Sequence, residues 1–247
     1  MKKIFFLIVT SVILFISGCN KFERETFRSF VYKYFHSESI FMYETDDGNI
    51  SLVFSDRTTA CDWKSKGRLK ELYDSLCYAH NDMSYNKEIM YFGSPIEPDA
   101  ERLSINNIVS INVVSNANFD EQHPAGSSLN DVIRFMGTSL YEFLQSNYTY
   151  KYDWENKPVE YTIESNFSKL PYEAPRYALL SELTADDMRL MTVNIGVLHF
   201  IKEPTLSKTH ELKIIATLDN GETISGYSQG KIGNKADRLP YITKVFD

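Results

Sequence analysis

The side chains of this sequence that could carry out chemistry do not fall into a catalytic signature. Ser84 and Ser228 each begin a match to the Ser-x-x-Lys pattern of serine acyl-transfer enzymes, but the companion motifs of that pattern are missing. The sequence also has no phosphate-binding loop and no dinucleotide fingerprint. We therefore predict no catalytic residue and no cofactor.

Acidic and histidine residues gather in one predicted loop, where they could hold a cation. Asp120, Glu121 and His123 are close in sequence, and carboxylate and imidazole groups bind several metals. Polar residues before a proline are equally typical of a solvated turn, so we predict no metal site. The His210-Glu211 pair lacks the second histidine of a zinc-protease helix, and we expect it at the surface.

Two cysteines, Cys61 and Cys77, could form a disulfide in an oxidising compartment. Continuous helix between them would hold them ~24 Å apart, whereas a disulfide needs Cα atoms within ~7 Å. A bridge therefore requires the chain to reverse between them, near Gly67. The alternative is a pair of small buried thiols, with Cys77 on the inner face of a helix beside Tyr73 and Leu76.

Aromatic residues are densest between positions 141 and 161, where two interpretations stay open. Alternating tyrosines are favoured in strands and could simply pair across a sheet. Alternatively, Trp154, Tyr150 and Tyr152 form a platform on which sugar rings or a partner's side chains stack. Trp154 lies beside charged residues at a predicted turn, so we expect its side chain to be substantially exposed and to contact a ligand.

The start of the chain carries the clearest signal in the sequence. Two lysines precede an unbroken apolar stretch from Ile4 to Ile16, which is shorter than the ~20 residues that a membrane-spanning helix needs. The sequence Ile16-Ser17-Gly18-Cys19 resembles the bacterial lipobox. That resemblance implies removal of residues 1–18 as a lipoprotein signal peptide and attachment of lipid to Cys19. Several acyl chains would make membrane attachment effectively permanent.

Composition and charge limit the remaining classes of protein. The chain has 247 residues and 43% apolar content, which is typical of a globular domain with a proper core. With 26 Lys+Arg against 33 Asp+Glu and no Lys/Arg-rich run, a nucleic-acid partner is not expected, because phosphate binding needs a basic face. Removing residues 1–18, which hold two lysines and no acidic residue, changes the formal net charge from −7 to −9.

The apolar pattern of the first half of the chain predicts strands and one helix. Runs at 40–43 and 50–54 flank an Asp-Gly turn and predict a hairpin. Leu69, Leu72, Tyr73 and Leu76 recur with helical spacing and predict an amphipathic helix over 65–80. The alternation in 107–115 predicts a half-buried strand. Residues 27–35 fit either a helix or a strand.

The second half of the chain is predicted to be mostly antiparallel β. Leu129 to Met136 predicts a short helix that Gly137 ends, with 140–144 as a continuation. Segments 148–152 and 159–163 predict a second hairpin. Strands at 191–197 and 212–218 follow, and the latter leads into the Asp219-Asn220-Gly221 turn.

These elements predict a mainly β protein with short helices. The preferred architecture is an antiparallel β-sandwich of immunoglobulin-like character, with a helical insert around residues 65–80. No repeat or Pro/Gly/Ser-rich linker divides the chain, so residues 38–247 form one domain. Residues 19–37 then hold the anchor and a tether or first element.

Loop and turn sequences also suggest a family. The chain resembles an uncharacterised family of Bacteroidetes envelope lipoproteins, which implies an immunoglobulin-like β-sandwich and no particular activity. Asn20 after the cysteine implies, by similarity to enterobacterial sorting, the outer membrane, on its periplasmic or its surface face. The residues that carry the family resemblance are Ala60-Cys61, 108–115, 118–120, 123–131, 198–200, 203–204, 210–213 and 218–222.

Two functions remain. The first is a lipid-anchored, non-enzymatic envelope protein that binds or displays something, with the membrane as one partner and a glycan or an envelope protein as another. The alternative is a hydrolase of envelope material or polysaccharide that uses two carboxylates brought together only by the fold. Two carboxyl groups 5 to 10 Å apart in a cleft would favour the hydrolase.

Overall fold

The computed structural model describes residues 22–44, 49–92, 101–155, 170–207 and 209–228. This part of the chain is mainly β with two short helices, as the apolar pattern predicted. The helices are α1 (Arg68–Ala79) and α2 (Tyr141–Gln145), and a 3-10 turn covers Asn130–Val132. The strands are β1 (Phe22–Phe27), β2 (Lys33–Glu44), β3 (Ile50–Asp62), β4 (Lys87–Phe92), β5 (Arg102–Ser104), β6 (Ile108–Ser115), β7 (Ile133–Ser139), β8 (Ala174–Leu179), β9 (Asn194–Phe200), β10 (Leu212–Leu218) and β11 (Thr223–Tyr227).

Nine of the described strands join in one curled sheet. The order across it is β6-β10-β11-β2-β3-β9-β7-β8, and β5 pairs with β2 beside this path. Neighbours are antiparallel except β11 with β2 and β2 with β5, which are parallel. Strands β1 and β4 form a separate two-stranded ribbon. The immunoglobulin-like sandwich, which would divide its strands between two sheets, is not confirmed.

Both hairpins with a strong Asp-Gly or Asn-Gly signal are confirmed where the structure describes them. β2 and β3 pair antiparallel, with Glu44 opposite Ile50, and the Asp46-Asp47-Gly48 turn itself lies outside the described residues. β10 and β11 pair around Gly221, whose φ of 85° suits glycine. The ambiguous stretch 27–35 contains the end of β1 and the start of β2, so it is strand at both ends.

The helix predicted from Leu129 to Met136 is wrong. Only the 3-10 turn is helical there, and Ile133 begins the strand β7, which lies between β9 and β8. β7 is buried along nearly its whole length, so its sequence lacks the alternation of apolar and exposed polar residues that marks a half-buried strand. Gly137 does not end a helix; a Cβ there would lie 2.6 Å from the Phe135 ring.

The second predicted hairpin is wrong over 148–152. Asn147 and Tyr148 have φ values of 52° and 63°, and the chain after α2 continues as a non-repetitive segment. The partner segment 159–163 lies outside the described residues. The tyrosines of 148–152 pack as half-buried side chains rather than pairing across a sheet.

Two clusters of buried side chains form the core. The larger one lies within the curl of the sheet, and the second lies beneath α1 and α2. The helix α1 is confirmed, but its buried side is Tyr73 and Cys77, whereas Leu69 and Leu72 are 52% and 37% exposed. Tyr73 sets this rotation because its hydroxyl donates to the carbonyl oxygen of Val31 at 2.7 Å.

Candidate functional site

The strongest candidate site is a cavity of about 510 Å³ between the ends of α1 and α2, which we call the helix cavity. Its volume is in the range of small-ligand sites in proteins. The segments that form it come from both helices, from the stretch around β5 and β6, from the loop before β9 and from the β10–β11 turn. The apolar walls are Leu76, Ala79, Ile105, Val109, Ala185 and Leu190, and the polar ones are His80, Asn107, Tyr141, Gln145, Asp186, Arg189 and Asp219.

His80 follows the last turn of α1 and lines the helix cavity. Its Nδ1 lies 3.0 Å from the hydroxyl oxygen of Tyr34, which is fully buried behind it. Burial lowers the pKa of His80 to about 4, so the ring is neutral at pH 7. Nε2 has no hydrogen-bond partner among the described residues, so it is the ring atom available to a ligand.

The ends of the two helices are joined by reciprocal hydrogen bonds. Gln145 on α2 donates to the carbonyl oxygen of His80 at 3.3 Å, and Asn81 donates to that of Leu144 at 3.0 Å. Carbonyl groups at helix ends lack intrahelical partners, so these amides satisfy two of them. They also hold the spacing of the cavity walls.

Asn107 connects two other segments that form the rim of the helix cavity. Asp219 in the β10–β11 turn accepts from the backbone and side-chain nitrogens of Asn107, both at 3.0 Å. The side-chain oxygen of Asn107 accepts from the backbone nitrogen of Leu190 at 2.9 Å. One asparagine therefore fixes the turn and the loop before β9 on the same rim.

Arg189 supplies the positive charge of the helix cavity. Its guanidinium lies 5.4 Å from the centre of the Tyr141 ring and 2.7 Å from a carboxylate oxygen of Asp186. Side chains of both Arg189 and Asp186 are partly exposed, so this ion pair stabilises the fold little and can rearrange around a ligand. No serine, threonine, cysteine or lysine is among the described residues that line the cavity.

Two carboxyl groups do come together away from the helix cavity. Glu173 is 1% exposed, and its burial and the charge of Glu101 raise its pKa to about 8. Burial also raises the pKa of Glu101, which accepts a hydrogen bond from the Tyr172 hydroxyl at 3.3 Å. Glu173 Oε2 has no partner among the described atoms. The pair therefore holds a proton at pH 7, but Glu173 is closed to solvent.

The loop with Asp120, Glu121 and His123 is held by hydrogen bonds. The two ring nitrogens of His123 lie 2.6 Å from Asp120 and 2.9 Å from Asp131, so both are occupied by carboxylates. Lys202 binds Asp120 at 2.9 Å and keeps the pKa of that carboxyl well below its usual range. Within the described ranges, no group of three or more His, Cys, Asp or Glu residues is arranged to hold a metal.

His210 is buried, so its predicted place at the surface is wrong. Its ring nitrogens lie 2.7 Å from the Ser115 hydroxyl and 2.7 Å from the carbonyl oxygen of Ser207. A histidine whose two ring nitrogens are both hydrogen-bonded inside the protein has a structural role. The sequence around His210 does not distinguish such a buried histidine from an exposed one.

Cys61 and Cys77 are free thiols, both buried in the cluster beneath the helices. The chain does reverse between the end of β3 and α1, as a bridge would require, and Gly67 has a φ of 57° at that point. Burial raises the pKa of both thiols to about 11, so they are protonated at pH 7.

The aromatic platform is only half exposed. Trp154, expected to be substantially exposed, is half-buried, and its indole nitrogen donates to the carbonyl oxygen of Leu170 at 2.9 Å. Tyr152 contacts it edge to face, with ring centres 4.7 Å apart. Tyr150 packs against the cluster beneath the helices. Trp154 and Tyr152 therefore contact each other, whereas Tyr150 packs against the buried cluster beneath the helices.

The lipidation residue Cys19 lies outside the described residues. In the part of the chain that is described, no helix has the length and apolar character to cross a membrane.

Comparison with family models, with curated proteins and with solved structures found no match to this chain. The helix cavity was missed by sequence reasoning because its residues are spread from Leu76 to Asp219. The Asp219-Asn220-Gly221 turn was recognised, but nothing in its local sequence indicates that Asp219 reaches Asn107.

Proposed function

We propose that this chain is a lipid-anchored bacterial envelope protein that binds a ligand in the helix cavity without catalysing a reaction. The observation that carries the proposal is the cavity itself: about 510 Å³, apolar on one side and lined on the other by amide, carboxylate, guanidinium and phenol groups. The anchor rests on the lipobox resemblance at Cys19.

A glycan residue fits these walls best. Sugar rings have apolar faces and a rim of hydroxyl groups that donate and accept, and the cavity offers Leu190 and Ile105 beside Gln145, Asp186 and Arg189. The other ligand that matches the chemistry of these walls is a side chain of an envelope protein. Both would be held outside the membrane by the anchored domain.

Binding to an array of bacterial and host glycans tests this proposal. Arg189→Ala removes the cation that stacks on Tyr141. The matched control is Arg134→Ala, because Arg134 stacks on Tyr177 at 4.9 Å and does not line the cavity. We expect Arg189→Ala to weaken glycan binding at least about tenfold and Arg134→Ala to leave it unchanged. Equal effects of both variants, or no glycan bound, would contradict the proposal.

The same array tests the aromatic platform as a second contact surface. Trp154→Ala weakens glycan or protein binding with an almost unchanged melting temperature if the exposed half of the ring contacts the ligand. A loss of stability of about 3 to 5 kcal/mol, as for a core tryptophan, would instead assign Trp154 to the core.

The immunoglobulin-like sandwich and the outer-membrane location are finer parts of the proposal. In support of the first, a core within the curl of a mostly antiparallel sheet resembles the layer arrangement of a sandwich. In support of the second, asparagine rather than aspartate follows Cys19. An experimental structure tests the first, and separation of inner and outer membranes on a density gradient tests the second.

A second candidate, a hydrolase of envelope polymer, would use the carboxyl pair of Glu101 and Glu173, and a polymer reaches Glu173 only if its closed surroundings open. Glu101 and Glu173 are brought together only by the fold, and a protonated Glu173 has the ionisation state of a general acid. Release of soluble fragments from purified peptidoglycan and polysaccharide tests it. Hydrolysis that Glu173→Gln abolishes and the exposed-site control Glu203→Gln preserves would establish the enzyme; no release by the natural sequence would exclude it for those polymers.

A further inference from the structure

A small pocket, which we call the strand pocket, lies where β2, β3 and β5 meet. Its volume is about 150 Å³, and the helix cavity shares no residue with it. It has three cations, two hydroxyl groups and an aromatic floor, and no carboxylate among its described lining. The lining residues are Lys33, Arg57, Arg102, Thr58, Thr59 and Phe35.

The pairing of the strands brings these residues together. Lys33 faces Arg102 across β2 and β5, and Phe35 faces Thr59 across β2 and β3. The register of β2 and β3 shifts between Tyr34 and Phe35, so β3 has one extra residue at this point. A bulge of this kind bends the strand next to the pocket, and two consecutive threonines beside it line the pocket.

Aromatic rings hold the cations in place without cancelling their charge. Lys33 lies 5.6 Å from the centre of the Tyr32 ring, Arg102 lies over the same ring, and Arg57 lies 5.8 Å from the centre of Phe35. Cation–π contact orients a cation but leaves its full charge available to an anion. Arg102 also donates through Nε to the Tyr32 hydroxyl, which fixes its guanidinium at the pocket edge.

Two carboxylates lie near the strand pocket, and only Glu101 interacts with one of its cations. Asp62, which is opposite Lys33 in the register, accepts from the backbone nitrogen of Lys64 at 3.0 Å and from the Ser65 hydroxyl at 3.1 Å. Of the three pocket cations, Glu101 interacts only with Arg102. Neither Lys33 nor Arg57 has an ion-pair partner among the described residues, and the hydroxyls of Thr58 and Thr59 have no hydrogen-bond partner there.

We propose that the strand pocket binds a tetrahedral oxyanion, a phosphate or sulfate group that is either free or the end of a larger molecule. The pocket offers donors to an anion, namely an ammonium, two guanidinium groups and two hydroxyls, and its described lining holds no carboxylate. Guanidinium groups match the oxygen spacing of such anions, and ammonium and hydroxyl donors complete the shell. In a chain with a formal net charge of −7, three cations around one pocket form a local concentration of positive charge that attracts an anion.

Isothermal titration with inorganic phosphate, with sulfate and with glucose 6-phosphate, at constant ionic strength, tests the proposal. The pocket variants are Lys33→Gln and Arg57→Gln. The matched controls are Lys66→Gln and Arg68→Gln, which remove the same charges at exposed positions that do not line the pocket. Far-UV circular dichroism of each variant checks that the sheet is intact.

We expect each pocket variant to weaken phosphate binding by about tenfold or more and each control by less than about twofold. Tighter binding of glucose 6-phosphate than of phosphate identifies the group as the end of a larger molecule, and equal binding identifies the free ion. Absence of binding to all three anions, or equal losses in pocket and control variants, would overturn the proposal.

Discussion

Asp82 shows how much a single side chain contributes beneath the helices. It is fully buried, and its carboxylate accepts from the backbone nitrogens of Phe30 at 2.7 Å and Val31 at 2.8 Å and from the Tyr148 hydroxyl at 2.9 Å. Burial nevertheless raises the pKa of Asp82 to about 6, because these three bonds offset only part of the cost of removing the charge from water.

Asp82→Ala should lower the free energy of unfolding by about 2 to 4 kcal/mol, because it leaves two buried backbone N–H groups without an acceptor. Urea denaturation at pH 7 measures this. The control is Asp74→Ala, which breaks only a half-exposed pair with Lys70 and should cost less than about 1 kcal/mol. Similar losses for both variants would show that the Asp82 bonds do not stabilise the fold.

Glu173 should make stability depend on pH. Its folded-state pKa of about 8 lies above the ordinary value of 4.5, so the folded protein binds the proton more tightly than the unfolded chain. The contribution is therefore fully present below about pH 4.5 and is lost as the pH rises from there through about 8, by on the order of 5 kcal/mol. Melting temperatures between pH 5 and 9 should fall less steeply in Glu173→Gln than in the exposed-site control Glu203→Gln. Parallel curves would refute this.

At the scale of elements, the parallel contact of β11 with β2 depends on Gly226. A Cβ at this position would collide with the carbonyl oxygen of Ile40 on β2. Gly226→Ala should therefore separate the two strands and lower the free energy of unfolding by about 2 to 3 kcal/mol in a urea titration. Gly221→Ala, in open space with a φ of 85°, is the control and should cost about 1 kcal/mol. The reverse order would contradict the close approach.

The packing of α1 against the end of β3 should protect both thiols. Cys61 and Cys77 are 1% and 0% exposed, and burial raises the pKa of each to about 11. With Cys19 acylated or replaced, a thiol reagent should count no fast-reacting group in the folded protein and two groups in denaturant without reductant. A count of zero in denaturant would show that the two cysteines are bridged.

For the whole molecule, the expected anchor governs where the domain acts. Mass spectrometry of envelope-purified protein should find Cys19 acylated as the first residue, and Cys19→Ala should remain uncleaved or become soluble. The matched control is Cys61→Ala, which removes a buried thiol and leaves the signal intact. A mature protein that begins elsewhere and carries no lipid would end this prediction.

Local signals predicted the elements that depend on local chemistry. The α1 helix and the β2–β3 and β10–β11 hairpins were identified because helical spacing and Asp-Gly or Asn-Gly turns act within a few residues. β7 was misread as a helix because a strand buried on both faces has no alternation. On α1 the inward placement of Tyr73 and Cys77 is confirmed, whereas Leu69 and Leu72 are exposed, because the Tyr73 bond to Val31 sets which side faces inward.

The sequence by itself determined the mainly β class and the helix near residues 65–80, and lipidation of Cys19 stays a prediction from it. Only the tertiary structure decided where charges and cavities lie. Strand pairing brings together residues that are remote along the chain. Examples are Asn107 with Asp219 at the helix cavity, and Lys33 with Arg57 and Arg102 at the strand pocket. The physical reason is that a ligand site depends on distances in space and on the removal of side chains from water. The local pattern of apolar and polar residues specifies neither of these.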